Sequence, residues 1–408
     1  MFDTITRDEI TLKTDVRGKM KDLLVDDTVA TVDNLEKYRA LFPHTKDRVY
    51  LNHAALAPMH KKSLYAIQRS YFDRAHHNPE YWPDVLEVKG KFKNLVGRLI
   101  HGDSKYIAVT DSTSMGLNWL AQGLTWKSGD RILLNNFEFP SNVYPFMNLK
   151  QQGVALDFVE HRQGSIKIED IADKIRPETR LLSISYVEFL NGYRNDLKAI
   201  GELCREKDIL FCVDGIQGLG ALEMDVEEMQ IDFLANGGQK WMMWPLGTAF
   251  MYIAPRIFDD VKPMAAGWLA VEDSWDFFDY QLNFLPTADR FEPGMFNVAG
   301  VVGASASLEM FLEVGPHHIE RTILETTGYL ISRLQDNGYQ LFTHLEPEVR
   351  SGIVSFFHTR SPELYEFLMS NNTHVSLRDG YIRVSPHFYN TEEDIDQLMD
   401  LVLRFDAK

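Results

Sequence analysis

The chain has 408 residues, 45% of them hydrophobic and 25% charged, and carries a formal net charge of −17. That length and apolar content suit a globular protein of two domains, or of one large domain with an appendage. A surface this acidic repels nucleic-acid phosphates and anionic lipid, so no nucleic acid and no membrane is expected as a partner, whereas a small anionic cofactor can still be held by local amides and hydroxyls.

Residues 1–48 interleave charges with scattered apolar positions and read as an arm with one or two short helices. No signal-peptide stretch opens the sequence and no later run is long enough to span a bilayer, so a cytoplasmic protein is expected. Residues 49–52 read as a short strand. Residues 60–71 have helical spacing with Leu64, Ile67 and Tyr71 on one face, and residues 85–100 follow with Leu86, Phe92, Leu95, Val96 and Leu99. From there to about residue 255 short apolar runs alternate with helical stretches. Strands are predicted at 106–109, 131–135, 155–159, 180–186, 209–213, 233–235 and 249–253, with helices at 114–124, 141–152 and 197–207. This alternation predicts an α/β fold with a mostly parallel sheet and helices on both faces, whose ligands bind at the carboxyl ends of the strands. Beyond residue 290 the texture changes to helices at 299–311 and 318–337, short strands at 352–357 and 381–384, and a last helix at 392–405. The expected division is an arm over 1–48, a large domain over 49–289 and a smaller α+β domain over 290–408.

Four stretches at strand ends carry candidate chemistry. Residues 110–116 (Thr-Asp-Ser-Thr-Ser-Met-Gly) join an apolar strand to an apolar helix, so amides and hydroxyls there suit an anion, or a plain N-cap. Asp214 ends a buried strand, where an ionised acid is costly unless paired; a pyridinium nitrogen would pair it, and a turn-capping role before Gly215 is the alternative. Lys240 follows Gly237 and Gly238 and precedes Trp241-Met242-Met243-Trp244, flanks unlike those of a solvated lysine, so it reads as a nucleophile toward an aldehyde. Arg383 interrupts a strand and suits either a bidentate carboxylate or a structural ion pair. Anion site, buried acid, crevice lysine and carboxylate fork are together the parts that pyridoxal phosphate (PLP) chemistry on a small amino-acid substrate requires. His76-His77 and His317-His318 are adjacent pairs that do not share a helix face, and no metal or dinucleotide motif occurs, so no metal is expected. Cys204 and Cys212 fall in predicted core elements.

Six stretches in order, residues 50–55, 113–118, 213–217, 237–241, 290–294 and 382–385, make the chain resemble the class V aminotransferase family of fold-type-I PLP enzymes, which includes cysteine desulfurases, kynureninase and isopenicillin N epimerase. The resemblance runs from about Tyr50 to the C-terminus and looks nearest to the isopenicillin N epimerase-like branch. It implies that Lys240 carries PLP as a Schiff base and shuttles protons, that Asp214 pairs with the ring nitrogen, and that Gln217 contacts the ring hydroxyl. It puts Thr113 and Ser114 at the phosphate, Phe139 against the ring, Gln239 beside the cofactor and Arg383 at the substrate carboxylate. Asn52 and His53 would border the substrate pocket, with a structural role for His53 equally open. Residues 290–294 resemble a segment that reaches the phosphate of a neighbouring subunit, which implies a homodimer with shared active sites.

The sequence also departs from that pattern. Gln239 stands where many relatives have His, Gly237 where they have a small polar residue, and Met295, at a cofactor-binding position, where they often have Thr. Relatives often place Asn near position 189 to bond the ring hydroxyl, so either Gln217 acts alone or Asn191 substitutes. A desulfurase needs a mobile cysteine in the small domain, and both cysteines here precede Lys240. The expectation is therefore a protein that is not a cysteine desulfurase but an aminotransferase or epimerase-like enzyme, with a C–S or C–C lyase, a kynureninase-like hydrolase or a non-catalytic PLP-fold binding protein as alternatives.

Overall fold

The computed structural model describes residues 35–80 and 82–407. Most of the expected arm, residues 1–34, lies outside them; its described end forms a short helix, Leu35–Arg39, whose Arg39 holds Asp394 through two bonds of 2.7 and 2.9 Å.

In chain order the first part contains β1 (Val49–Tyr50), α1 (Lys61–His76), α2 (Trp82–Ile100), β2 (Ile107–Thr110), α3 (Thr113–Gly123), β3 (Arg131–Asn135), β4 (Ala155–Val159), β5 (Thr179–Ser185), α4 (Leu197–Glu206), β6 (Leu210–Asp214), β7 (Phe233–Gly237) and β8 (Ala249–Ile253). Seven of these strands form one sheet in the order β2-β8-β7-β6-β5-β3-β4. Only β8 runs against its neighbours; β3 to β7 are mutually parallel. The central strands are buried on both faces, which is why they read as unbroken apolar runs rather than alternating ones. Successive residues still point to opposite faces. Leu133, Leu182, Val213 and Leu234 pack into one core layer with α2 and α4, while Leu134, Leu181, Cys212 and Ala235 pack into the other with α3. The in-register pairs Ser185–Asp214 and Asp214–Ala235 align the strand ends, so the residues after β3, β5, β6 and β7 emerge along one edge.

The second part contains α5 (Val298–Val314), α6 (Pro316–Asp336), β9 (Gln340–Leu341), β10 (Val354–Phe357), α7 (Ser361–Ser370), β11 (Thr373–His374), β12 (Ser376–Arg378), β13 (Tyr381–Val384) and α8 (Glu392–Asp406). An antiparallel sheet, β12-β13-β10-β9, is covered by α6 and α8. The chain is thus a large, mostly parallel α/β sheet domain with a smaller α+β one. The two share elements: β1 pairs with β11, and Val49 and Leu51 sit in the core of the smaller domain. Conversely, Val301, Ala304 and Leu308 of α5 belong to a core layer of the large sheet.

Side chains close the helix starts in the expected manner. Ser112 caps α3, Asp196 caps α4, Asn297 caps α5, and Thr391 and Asp394 form a capping box on α8. Two local expectations change. The helix predicted over 141–152 is broken into a 3-10 turn at Pro140–Asn142, one α-turn at Tyr144–Met147 and a 3-10 turn at Asn148–Gln152, because Pro140 and Pro145 lack the N–H that a continuous ladder needs. On α1, Leu64 and Tyr71 are exposed, because α5 covers the Ser63 side instead, where the Ser63 hydroxyl donates to the Gly303 carbonyl at 2.9 Å.

Candidate active site

Asp214 is the last residue of β6 and is almost fully buried; its Oδ1 accepts from the Ile216 amide at 2.9 Å. Burial pushes its carboxyl up to about 6, opposed by that amide and by the charge of Lys240. Lys240 lies three residues past the end of β7, after a turn that only glycine permits: a Cβ on Gly238 would stand 2.0 Å from the Trp244 ring. The lysine as a residue keeps some exposure, but its ammonium is enclosed by protein. Burial pulls it down to about 8; Asp214 opposes this, and Arg383 and Arg378 add to it. The ammonium stands 5.5 Å from the centroid of the Phe139 ring, in the loop after β3. Phe139 in turn meets the edge of Phe189, from the loop after β5, at 5.4 Å.

Arg383 is 2% exposed on β13. Its Nη1 donates to the Phe189 carbonyl at 2.6 Å, its Nε has no partner, and no carboxylate lies within ion-pair distance among the described residues. Burial, then the nearby Arg378, brings it down to about 9. A buried guanidinium without an anion is costly, and a ligand carboxylate would remove the cost.

The remaining predicted residues divide. Thr113 Oγ1 accepts from the Gly237 amide at 2.8 Å, tying the start of α3 to the end of β7, and Ser114 donates to the Ser141 hydroxyl at 3.0 Å. Gln239 accepts from the Ala57 amide through its carbonyl, and its Oε1 lies 2.7 Å from the place a Cβ on Gly237 would take, so the absent side chain leaves that space to the glutamine. Gln217 is buried, donating to the Ala54 carbonyl at 3.0 Å and accepting from the Trp241 indole at 2.9 Å, which leaves one Nε2 hydrogen. Asn191 donates to the Gly164 carbonyl and accepts from the Tyr193 amide, so its side chain is committed there and does not substitute at the ring hydroxyl. Asn52 accepts from the Ser376 hydroxyl at 2.6 Å. His53 is fully buried with both ring nitrogens bound, to the Ser385 carbonyl and the Tyr389 hydroxyl, each at 2.8 Å. Burial first, then the neighbouring His387, holds its pKa well below the usual range, and no ring nitrogen is left for a substrate. Met295 is exposed on a cavity of about 400 Å³ that it shares with Thr110, Asp111, Met115 and Gly294. Arg290 is stacked on Phe258 and bound to the Phe258 and Val261 carbonyls.

Three contributors escaped the sequence reading. Glu138 and Glu188 stand at this edge of the sheet, and Arg378, exposed on β12, lies near enough for its charge to act on Lys240 and Arg383; no motif marked them. The one available signal was that both glutamates stand three residues beyond the last residue of a central strand.

These residues fit PLP. A buried acid suits the ring nitrogen, an enclosed lysine suits the aldehyde, the Phe139 ring offers a stacking face, and the first-turn amides and hydroxyls of α3 suit the phosphate. Because only the neutral amine attacks an aldehyde, capture of PLP by the cofactor-free protein should speed up about tenfold per pH unit below the lysine's pKa and level off above it. That pKa is about 8. Stopped-flow absorbance measures this, and a rate that stays flat through the acidic side of that value would remove Lys240 as the titrating group.

Residues 49–398 match the family described as Aminotransferase class-V. An uncharacterized aminotransferase, YcbU, of Bacillus subtilis is 26% identical over 365 residues, 90% of this chain and 96% of that one. A probable cysteine desulfurase of Methanothermobacter thermautotrophicus is 27% identical over 392 residues, 89% of this chain and 96% of that one. Among solved structures, the apo cysteine desulfurase of Thermococcus onnurineus superposes with a TM-score of 0.83 at 23% identity, covering 91% of this chain and 97% of that one. C-DES, a cystine C–S lyase solved with glycine covalently linked to its PLP, gives 0.84 at 21%, covering 89% and 98%. These relatives correct one expectation. The resemblance set the chain near an isopenicillin N epimerase-like branch and outside the cysteine desulfurases, yet proteins named as desulfurases match it over nearly its whole length and none of these relatives is named an epimerase. The physical reason is that a missing small-domain cysteine removes one acceptor for sulfur; it does not alter the groups that break bonds at the substrate. The chain belongs to the class V aminotransferase family and is a PLP-dependent enzyme of fold type I.

Proposed function

We propose that this enzyme breaks the C–S bond of a small cysteine-like amino acid. The observation that carries the reading is kinship, at 26–27% identity over 89–90% of the chain, with proteins named probable cysteine desulfurases. The site supplies parts that such a reaction uses. Arg383 binds the substrate carboxylate and sets the α-carbon toward Lys240. Asp214 holds the proton on the ring nitrogen, and bound PLP then serves as the electron sink. Lys240, as a neutral amine, takes the α-proton and returns it where a product needs it. The bond from the β-carbon to sulfur breaks with its electron pair on sulfur, and the three-carbon remainder leaves as pyruvate and ammonia after water adds. Cys204 and Cys212 are free and buried, and burial pushes both thiols well up, so in this reading neither accepts sulfur: cysteine releases sulfide and cystine releases cysteine persulfide. Where a thiolate from solution instead attacks the substrate sulfur, the electron pair stays on the carbon, which takes a proton and leaves as alanine while the thiol becomes a persulfide. A homodimer belongs to the same reading, supported by the resemblance of residues 290–294 to a segment that reaches a neighbouring subunit.

The kinship with YcbU favours one competitor, transamination. A panel of L-cysteine, L-cystine and sulfur-free L- and D-amino acids separates the two. Release of sulfide or persulfide with pyruvate or alanine, from the sulfur substrates alone, is the expected result. Conversion of the cofactor to its amine form with a 2-oxo acid, and no sulfur released, would replace this reading with a transferase.

A further inference from the structure

Glu138 and Glu188 form a reciprocal cross-link between the loops after β3 and β5. Glu138 crosses to β5: its Oε1 accepts from the Ser185 amide at 2.7 Å and its Oε2 from the Ser185 hydroxyl at 2.6 Å. Glu188 crosses back to β3: its Oε1 accepts from Asn135 Nδ2 at 3.3 Å and from Asn195 Nδ2 at 3.0 Å. Asn135 Nδ2 also donates to Glu138 Oε1 at 2.9 Å, so one amide nitrogen bridges the two carboxyls. The loop after β5 can turn this way because Gly192 takes a positive φ of 77°, and a Cβ there would stand 2.5 Å from the Ile353 carbonyl oxygen.

Each glutamate immediately precedes an aromatic residue of the active site. Phe139 lies under the Lys240 ammonium and against Phe189, and the Phe189 carbonyl holds Arg383. Whatever holds the two loops together therefore sets the distance between the cofactor wall and the substrate fork.

The charges decide the state of the pair. Glu188 is fully buried and its Oε2 has no hydrogen-bond partner. An ionised carboxylate with a bare buried oxygen beside a second carboxylate is doubly penalised, whereas Glu138 has three donors that suit an anion. Burial first, then Glu138, holds the Glu188 carboxyl well above its usual range, and burial raises Glu138 to about 7. The other titratable groups facing the pair are Asp214 and Cys212 on β6 and Tyr193 in the Glu188 loop, with Arg383 on the far side of Phe189. None of them supplies a cation in contact with Glu188.

We propose that Glu188 is a positioning residue that keeps a proton throughout the neutral range, and that as a neutral acid it latches the Phe189 loop to Asn135 and so holds Arg383 and Phe139 in register. This inference rests on PLP use alone and is independent of the C–S reaction. It is tested on the PLP-loaded enzyme by infrared spectroscopy and amide hydrogen exchange, neither of which needs a substrate. A protonated-carboxyl stretch should remain above the pH of about 7 at which Glu138 ionises, and that remaining stretch should be missing in Glu188→Gln. Exchange across residues 186–195 should rise about tenfold or more in Glu188→Ala, while Glu188→Gln, a neutral isostere, should stay within about twofold of the native enzyme. Absence of that stretch in the native enzyme overturns the proposal whether or not either variant folds. So does unchanged exchange in Glu188→Ala, or a folded Glu188→Gln that loosens the loop as much as alanine does.

Discussion

Lys240→Ala is expected to give a folded protein with no visible PLP absorption band and a kcat reduced by about 10³-fold or more. In the proposed mechanism the change removes both the amine that captures the aldehyde and the base that moves the α-proton. It should cost little stability. Lys240 makes no ion pair within 4 Å among the described residues, and its ammonium is pressed by Arg383 and Arg378 while drawn by Asp214. Losing that cation takes away one of the two influences that hold Asp214 down, so the Asp214 carboxyl should titrate higher in the variant. Spectral titration with PLP, thermal melting and single-turnover kinetics check the three parts separately. A variant that keeps the band, or turns over within about tenfold of the native rate, would move the cofactor attachment to another lysine.

Arg383→Ala is expected to raise KM for an amino acid by about 10- to 100-fold, with a smaller change in kcat. A charged, two-pronged hydrogen bond to a carboxylate is worth about 1.5–3 kcal/mol, and nothing else in the crevice replaces it except the more distant Arg378. Arg383→Lys should recover part of the loss, because it restores the charge but not the planar fork. The discriminating control is an amine that lacks the carboxylate, such as cysteamine. Its binding, read from the cofactor spectrum, should be indifferent to the substitution. If both ligands weaken equally, Arg383 acts through the Phe189 carbonyl that it holds, and its role is structural.

Much of the fold was legible because hydrophobic runs report strands that are buried on both faces. The bounds of β3 and β8, short apolar runs closed by a polar or turn residue, agree with those predicted, and so do those of β4, a half-buried edge strand, and of β13, which Arg383 interrupts. Periodicity did less well where a helix is covered on one side only. Leu64 and Tyr71 of α1 looked like a core stripe, but the covering element, α5, lies more than 200 residues away in sequence, and nothing local says which side it will choose. The stretch over 141–152 shows the opposite failure, where helical spacing was overruled by two prolines.

For the site, what the sequence determined by itself is the chemistry of single positions. A lysine after two glycines, an acid at the end of an apolar strand and an arginine within one are each unusual enough to declare a role, because each is costly to bury without a partner. What only the tertiary structure decided is how these groups pair. His53 looked available from its motif, but both of its nitrogens are spent on Ser385 and Tyr389, more than 300 residues on. Asn191 looked able to reach the cofactor and is tied to Gly164 instead. Glu138 and Glu188, each ordinary in sequence, meet through Asn135 because β3 and β5 are neighbours in the sheet. A hydrogen bond needs two atoms at a set distance, and strand order, which brings them there, is a property of the whole chain's packing that no short stretch of residues encodes.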